Sequence, residues 1–282
     1  MSVSVIIPTY YRRKELAELL NSLLRQTYKP SEIIIVDDTP TYEIANLCEE
    51  FSIKLAKEKI ELIYCKNPKK KSSSIARNVG VEKSSGDILL FLDSDVVLFQ
   101  DYIENIMHVF NKYPNALAVQ GWIVNLRRGK FYYLRQVFYK IFFMSHHAQN
   151  RCRLFEYPSV LTEISECQAL HGSNFAVKRN VFNEIRFDEK LLGTAYMEDL
   201  LFSYTLFRKH PHSLFITPYA KCIHKISEAG REKGDKAEKH KSACRLYVLT
   251  KLFGFKGKLL YIWQNVGHTI LKFFKRLIKY SS

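Results

Sequence analysis

Gly86-Asp-Ile-Leu-Leu-Phe-Leu-Asp-Ser-Asp-Val-Val97 decides how this chain is read. A short apolar run, Ile88–Leu92, ends in two carboxylates, Asp93 and Asp95, separated by Ser94. A run this short and apolar throughout suits a strand buried on both faces. Side chains two apart on a strand point the same way, so both carboxylates leave its C-terminal end together. In open α/β sheets that end is where ligands bind. Two Asp oxygens there suit a hard divalent cation completed by waters and substrate phosphates. A solvated acidic turn is the plainer reading of DSD, and the rest of the chain has to decide between them.

Upstream, Val3–Ile7 is a β-branched run ended by Pro8, and Leu16, Leu19, Leu20, Leu23 and Leu24 repeat at helical spacing up to Pro30. Ile33–Val36 runs into Asp37 and Asp38; Tyr42–Phe51 has helical character, and Leu62–Cys65 is a third strand. A basic loop, KNPKKKSSS, precedes a helix over Ile75–Lys83 capped near Ser74. Downstream, Tyr102–Tyr113 is amphipathic and stops at Pro114; Ala116–Val124 and Phe175–Val177 read as strands. A helix opens at Met197 with Glu198 and Asp199, and two helices broken around Gly254 and Gly257 run from Leu246 to the end. Strand–helix alternation of this kind predicts an α/β fold with a mostly parallel sheet and right-handed crossovers.

Across 282 residues, 43 Lys+Arg stand against 28 Asp+Glu, a formal charge of +15, which favours polyanionic partners. Hydrophobic content of 47% excludes disordered and low-complexity classes. The opening MSVSVIIPTYYRR does not read as a secretory signal. No apolar run reaches the roughly 18–20 residues that span a bilayer. Six scattered cysteines lack C-x-x-C spacing and read as reduced residues of an intracellular protein.

Three acidic signals therefore sit at strand ends or a helix start: VDD (Val36–Asp38), DSD (Asp93–Asp95) and EDLLF (Glu198–Phe202). With SVIIPTYYR (Ser4–Arg12), ARNVG (Ala76–Gly80), HGSNFAVKR (His171–Arg179), GTAYMEDLLFSYTL (Gly193–Leu206) and His224, their order resembles a family 2 glycosyltransferase of the GT-A fold. The resemblance covers about residues 3–230, and Thr39–Pro40 departs from the Gly-Ser that usually follows the paired Asp. It implies a GT-A, Rossmann-like central sheet flanked by helices over residues 1–230, with a basic helical extension over 231–282.

The resemblance implies a nucleoside-diphosphate sugar as donor, UDP- ahead of GDP-linked, and inverting, non-processive transfer of one sugar to a hydroxyl. Pro8, Thr9, Tyr10 and Arg12 would line the nucleotide pocket, with Asp38 accepting from a base N–H and Asp37 supporting the turn or touching the base. Arg77 would reach the diphosphate, since its fork suits phosphate, and Lys69–Lys71 would add field. Asp93 and Ser94 would face the ribose and metal-bound waters. Asp95, with Asp93 and His224, would hold Mn²⁺ or Mg²⁺, the imidazole favouring Mn²⁺. Asp199 would be the general base and Glu198 would orient the acceptor or the base loop. His171, Gly172, Ser173 and Asn174 would lie near the sugar.

No Q-x-x-R-W motif of processive polymerases is present. Phe131–Phe143, aromatic and basic, and the amphipathic Leu259–Lys279 point to a glycan or lipid-linked glycan acceptor and an anionic membrane surface. A helix docked on its own domain is the other reading of the C-terminus. The expected location is cytoplasmic, peripheral at the inner face of the cell membrane. The nearest rivals are a sugar-nucleotide pyrophosphorylase, disfavoured because PTYYRR holds no Gly-rich phosphate loop, and a basic nucleic-acid-binding protein, for which no signature is visible. Nucleic acid is therefore not expected as a partner.

Overall fold

The computed structural model describes residues 1–69, 71–125, 138, 141–142, 161–193, 196–231 and 234–280, with side chains through Leu271. Lys70 and all of the aromatic stretch except Phe138, Ile141 and Phe142 lie outside the described residues. So do the side chains of Lys272–Lys279.

In chain order the elements are β1 (Val3–Thr9), α1 (Arg13–Leu24), β2 (Glu32–Asp37), α2 (Glu43–Lys57), β3 (Glu61–Lys66), α3 (Ser73–Lys83) and β4 (Ile88–Leu92). They continue through β5 (Val96–Leu98), α4 (Tyr102–Lys112), β6 (Ala118–Ile123), β7 (Ser165–Glu166), β8 (Asn174–Lys178) and a 3₁₀ turn over Arg179–Asn183. The last are α5 (Glu198–Lys209), β9 (Leu214–His224), α6 (Gly234–Phe253) and α7 (Phe255–Tyr280).

The strands form one sheet in the order β3-β2-β1-β4-β8-β6-β9-β5, with β7 pairing β9. The β3-β2-β1-β4 half is parallel, as the strand–helix alternation predicts. The other half makes the sheet mixed. There β8 runs antiparallel to β4 and β6, and β5 and β7 run antiparallel to β9. Strands β5, β7 and β9 are additions to the sequence reading. β9 carries Pro218 and alternates buried with exposed residues only near its end, so it lacks a clean apolar run.

Parallel strands covered by helices on both faces read as continuous apolar runs, and the two cores confirm why. Val3, Val5 and Ile7 pack on one face with Leu16, Leu19, Leu20 and Leu23 of α1. Ile6 faces the other way, with Ile75, Ala76 and Val79 of α3. Truncating one of these fully buried leucines to Ala would cost about 2–5 kcal/mol. Gly80 lets α3 approach that closely, since a Cβ there would come 2.3 Å from Ile6 Cγ2. Gly86 does the same where β4 begins: its N–H donates to Ser4 Oγ at 2.8 Å, and a Cβ would strike that oxygen. Ser4 in turn donates to buried Glu32 at 2.5 Å, so β1, β2 and β4 are pinned at one end.

Register then decides what meets at the opposite end. Thr9 pairs with Asp37, Leu92 with Asn174 and Val96 with His224. The strand-end motifs are thereby delivered to neighbouring strand ends, while Arg77 and Asp199 are carried on helices α3 and α5.

Candidate active site

A cleft of about 380 Å³ opens at these strand ends. Its walls include Pro8, Thr9, Tyr10, Arg12 and Asp38 from the β1 and β2 ends, Arg77 of α3, Asp93 and Ser94 after β4, the His171–Ser173 loop, and Glu198 and Asp199 of α5. Most residues singled out from the sequence therefore share one concave surface. Asp37, Asn174, Asp95 and His224 stand behind it.

Asp37 is buried and internally occupied: Oδ1 accepts from the Thr39 N–H at 2.7 Å, and Oδ2 accepts from Tyr64 Oη at 3.0 Å and Lys66 Nζ at 2.8 Å. Of the two readings open for it, the turn-supporting one fits these contacts. Thr39, the departure from the usual motif, is buried and accepts from the Tyr11 N–H at 2.9 Å, tying this turn to the end of β1. Asp38 faces the cleft and accepts from Asn67 Nδ2 at 2.8 Å. Burial pushes its carboxyl up to about 6, against the opposing pull of Asn67 and Lys71.

Asp93 closes β4, and its N–H donates to Ser173 O at 3.0 Å, holding the 171–174 loop against the DSD turn. Asp95 is fully buried; its Oδ1 lies 2.9 Å from Arg12 Nη1 and 3.3 Å from His224 Nε2, and Oδ2 accepts from the Ser227 N–H at 2.8 Å. Burial raises this carboxyl, but His224, Arg12 and the Ser227 N–H outweigh it and hold Asp95 below the ordinary range. Asp93, Asp95 and His224 bring one ligand atom each to within 4.8 Å of one another. Asp95 Oδ1 and His224 Nε2 are both buried without a hydrogen bond. Two carboxylates and an imidazole with converging atoms, Asp95 Oδ1 held by its ion pair to Arg12, make a donor set that fits a divalent cation of the Mn²⁺ or Mg²⁺ kind. Among the described residues, the Arg12 guanidinium beside Asp95 is the one cationic group within 3 Å of this carboxylate.

Arg77 does not stand free to meet a ligand. Buried on α3, it donates through Nη1 to Glu198 Oε1 at 2.6 Å and through Nη2 to Gly172 O at 3.1 Å and Asp93 Oδ1 at 3.3 Å. Lys69 is likewise paired with Glu189 at 2.9 Å, while Lys71 Nζ sits 3.4 Å over the Tyr10 ring at the cleft wall. Burial pushes Glu198 up to about 7, with Arg77 opposing and the neighbouring Asp199 reinforcing.

Asp199 stands in the first turn of α5, directly after Met197, whose φ of +67° turns the chain sharply into the helix. Its Oδ2 accepts from the Gly172 N–H at 2.6 Å and its Oδ1 from the Leu200 N–H at 2.8 Å. A Cβ on Gly172 would come 3.1 Å from Asp199 Oδ2, so glycine permits this contact. Gly172 thus links Asp199 to Arg77, one through its N–H and the other through its carbonyl.

Asn174, expected near the sugar, is fully buried; it donates to Cys222 Sγ at 2.8 Å and accepts from Gln120 Nε2 at 3.2 Å. It shapes the loop from behind. Gln120 is the residue that sequence reasoning missed: buried on β6, it accepts from the His171 N–H at 3.0 Å and donates to His171 O at 3.2 Å. A lone amide inside the apolar run AVQGWI was the available signal. Asn67, Tyr196, Arg231 and Lys241 were also missed; the last three line the cleft, Tyr196 from inside the quoted GTAYMEDLLFSYTL motif and Arg231 and Lys241 from a segment without a recognisable pattern.

The arrangement defines an open α/β protein with a cation-competent acidic cleft at its strand ends. The chain belongs to glycosyl transferase family 2, whose family model matches residues 4–186. It is 29% identical over 194 residues to glycosyltransferase GlyA of Streptococcus pneumoniae serotype 4, covering 68% of this chain and 26% of that protein. It is 27% identical over 190 residues to the glucosyl-dolichyl phosphate glucuronosyltransferase of Haloferax volcanii, covering 66% of this chain and 55% of that protein. The matched regions thus take in about a quarter and about half of those two relatives. S. aureus TarS 1–349 in complex with UDP-GlcNAc superposes with a TM-score of 0.61 at 17% identity, covering 95% of this chain and 72% of that one, which establishes the GT-A-type fold.

Proposed function

We propose that this chain is an inverting glycosyltransferase that moves one sugar from a nucleoside-diphosphate sugar, UDP-linked ahead of GDP-linked, to an acceptor hydroxyl. The observation carrying this reading is that one cleft joins Asp38, Asp93 and Asp199, with Asp95 and His224 converging on Asp93 from behind its wall. The UDP-GlcNAc held by the TarS neighbour supports the choice of donor class. Residues 1–230 would be the transferase domain and 231–282 a helical extension.

In this reading Asp38, oriented by Asn67, accepts the base N–H, and Pro8, Thr9 and Tyr10 wall the base. Asp199 takes the proton of the acceptor hydroxyl as its oxygen bonds to the anomeric carbon. The carbon–oxygen bond to the diphosphate breaks, and its electron pair leaves with the nucleotide, inverting the anomeric centre. Gly172 and Leu200 N–H groups hold both oxygens of Asp199 during that transfer. Glu198 and Arg77 position Asp93 and the 171–174 loop. Asp93, Asp95 and His224 would hold Mn²⁺ or Mg²⁺, which would offset the charge developing on the departing diphosphate.

The test is a donor-hydrolysis screen over nucleotide sugars with Mn²⁺, Mg²⁺ or chelator, since slow hydrolysis needs no acceptor. One UDP- or GDP-sugar should be hydrolysed with metal and not with chelator. Because the base needs Asp38 ionised, the donor KM should be flat above about pH 7 and rise about tenfold per unit below about pH 5. The same upward shift means the folded state holds this proton more tightly than the unfolded one, so the contribution of Asp38 to stability falls as the pH rises from about 4 to about 6. A metal-independent, pH-flat profile would count against this assignment.

For the acceptor, a lipid-linked glycan at an anionic membrane surface is supported by the C-terminal helices. α6 docks on the domain: Leu249 and Val248 pack with Leu200 and Leu201 of α5, and Tyr247 donates to Asp188 at 2.7 Å. α7 differs. Phe255, Leu259, Ile262 and Val266 recur on one helical face and are exposed. Trp263 Nε1 donates to Ile141 O at 3.0 Å, and its ring stacks on Phe142, which rests on Gly267. The two stretches singled out from the sequence therefore meet. No described helix is long and apolar enough to cross a membrane. Leu259→Glu with Ile262→Glu should cut co-sedimentation with anionic vesicles several-fold; equal pelleting of variant and parent would remove α7 from this role.

A further inference from the structure

We propose that Arg12 is the internal cation of the Asp93–Asp95–His224 cluster, a positioning residue that competes with a divalent ion for Asp95 and ties that competition to the 225–231 strap. This rests on the cation-binding reading of the cluster given above.

The guanidinium is committed on three sides. Nη1 lies 2.9 Å from Asp95 Oδ1, Nε donates to Ala229 O at 3.2 Å, and Nη2 donates to Ser227 O at 3.4 Å. Its side chain is 15% exposed against 0% for Asp95. These contacts hold Arg12, which the sequence places in the wall of the nucleotide pocket and which lines the cleft, against Asp95 and the strap. Arg13 points elsewhere, to exposed Glu50 at 2.6 Å.

The strap closes on the same carboxylate. Ser227 donates its N–H to Asp95 Oδ2 at 2.8 Å and its hydroxyl to Glu15 at 2.6 Å. Ile226 carries a φ of +55°, which a β-branched residue adopts only under constraint. Gly230 has a φ of +70°, and a Cβ there would strike Tyr10 O at 2.5 Å. Arg231 Nη2 stands 3.9 Å from Asp95 Oδ2, a weaker second charge.

A carboxylate removed from water needs a compensating charge. A ligating imidazole is neutral and supplies none, so Arg12 does. A divalent ion approaching Asp95 meets a like charge already seated on the same oxygen, and its affinity is lowered. A diphosphate brings negative charge that relieves this repulsion. Cation and donor therefore load together, and the bare protein holds the cation weakly.

The experiment is calorimetric titration of the full chain with Mn²⁺ alone and with Mn²⁺ plus UDP, for the parent, Arg12→Gln, Arg12→Lys and Asp95→Asn. Arg12→Gln should bind Mn²⁺ alone about tenfold more tightly than the parent, and UDP should narrow that difference. Its metal-free Tm should fall and its Mn²⁺-induced rise in Tm should exceed the parent's. Arg12→Lys keeps the charge but cannot span Asp95 and both carbonyls. It should keep Mn²⁺ affinity within about threefold of the parent, while trypsin cuts after Arg231 faster. Equal or weaker Mn²⁺ binding by Arg12→Gln, or tightening in Arg12→Lys matching that expected of Gln, overturns the proposal while leaving the metal site standing. Mn²⁺ binding that is absent, or indifferent to Asp95→Asn, overturns both.

Discussion

Asp199→Asn should lower sugar transfer by about a thousandfold while donor binding stays within about twofold of the parent. The amide keeps the size of the side chain but cannot take the acceptor proton. Its effect on folding should be small, because Oδ1 and Oδ2 each accept one backbone N–H, from Leu200 and Gly172, and only one of those bonds is lost to the amide nitrogen. A net hydrogen bond of this kind contributes about 1 kcal/mol. The measurement is acceptor-dependent turnover beside calorimetric UDP binding in Mn²⁺. Turnover comparable to the parent would remove Asp199 from the base role; loss of UDP binding would make it a donor ligand instead.

Arg77→Met should do the opposite, damaging fold and activity together. The guanidinium is the counter-charge to buried Glu198 at 2.6 Å and also holds Asp93 and the Gly172 carbonyl. Removing one partner of a buried pair costs about 3–5 kcal/mol. For a chain of this size the Tm should fall by roughly 10 °C. Glu198 is already raised to about 7 by burial, so lowering the pH protonates it and should recover part of the loss. Adding Glu198→Gln to Arg77→Met should restore stability, whereas transfer should remain depressed because Asp93 and the 171–174 loop have lost their tie. Full activity in Arg77→Met would mean that this network holds the fold and nothing else.

Legibility followed the reach of each signal along the chain. Ile33–Val36 into Asp37–Asp38, and Ile88–Leu92 into Asp93, are strands buried on both faces, and their apolar runs show in a few consecutive residues. Strand β9 was not legible: Pro218 interrupts it, and it is held by pairing with β5, β6 and β7 rather than by its own composition. The 198–209 helix was legible from its acidic first turn, yet Met197 at φ +67° gave no hint of how sharply the chain enters it. Gln120 was hidden because its work depends on β6 lying beside β8, a pairing between residues 118–120 and 175–177.

Residue types and their local periods determined the parallel half of the sheet, the glycines at 80 and 86, and the family, because these depend on neighbours within a turn or a strand. Direction of commitment was decided only by tertiary structure. In sequence Arg12 reads as part of the nucleotide-pocket wall and Arg77 as a diphosphate-binding cation. Folding turns Arg12 onto Asp95 and the strap, and sinks Arg77 between Glu198, Asp93 and Gly172, from 16 to 121 residues away. A buried carboxylate in a low-dielectric interior takes the nearest guanidinium, whichever part of the chain supplies it.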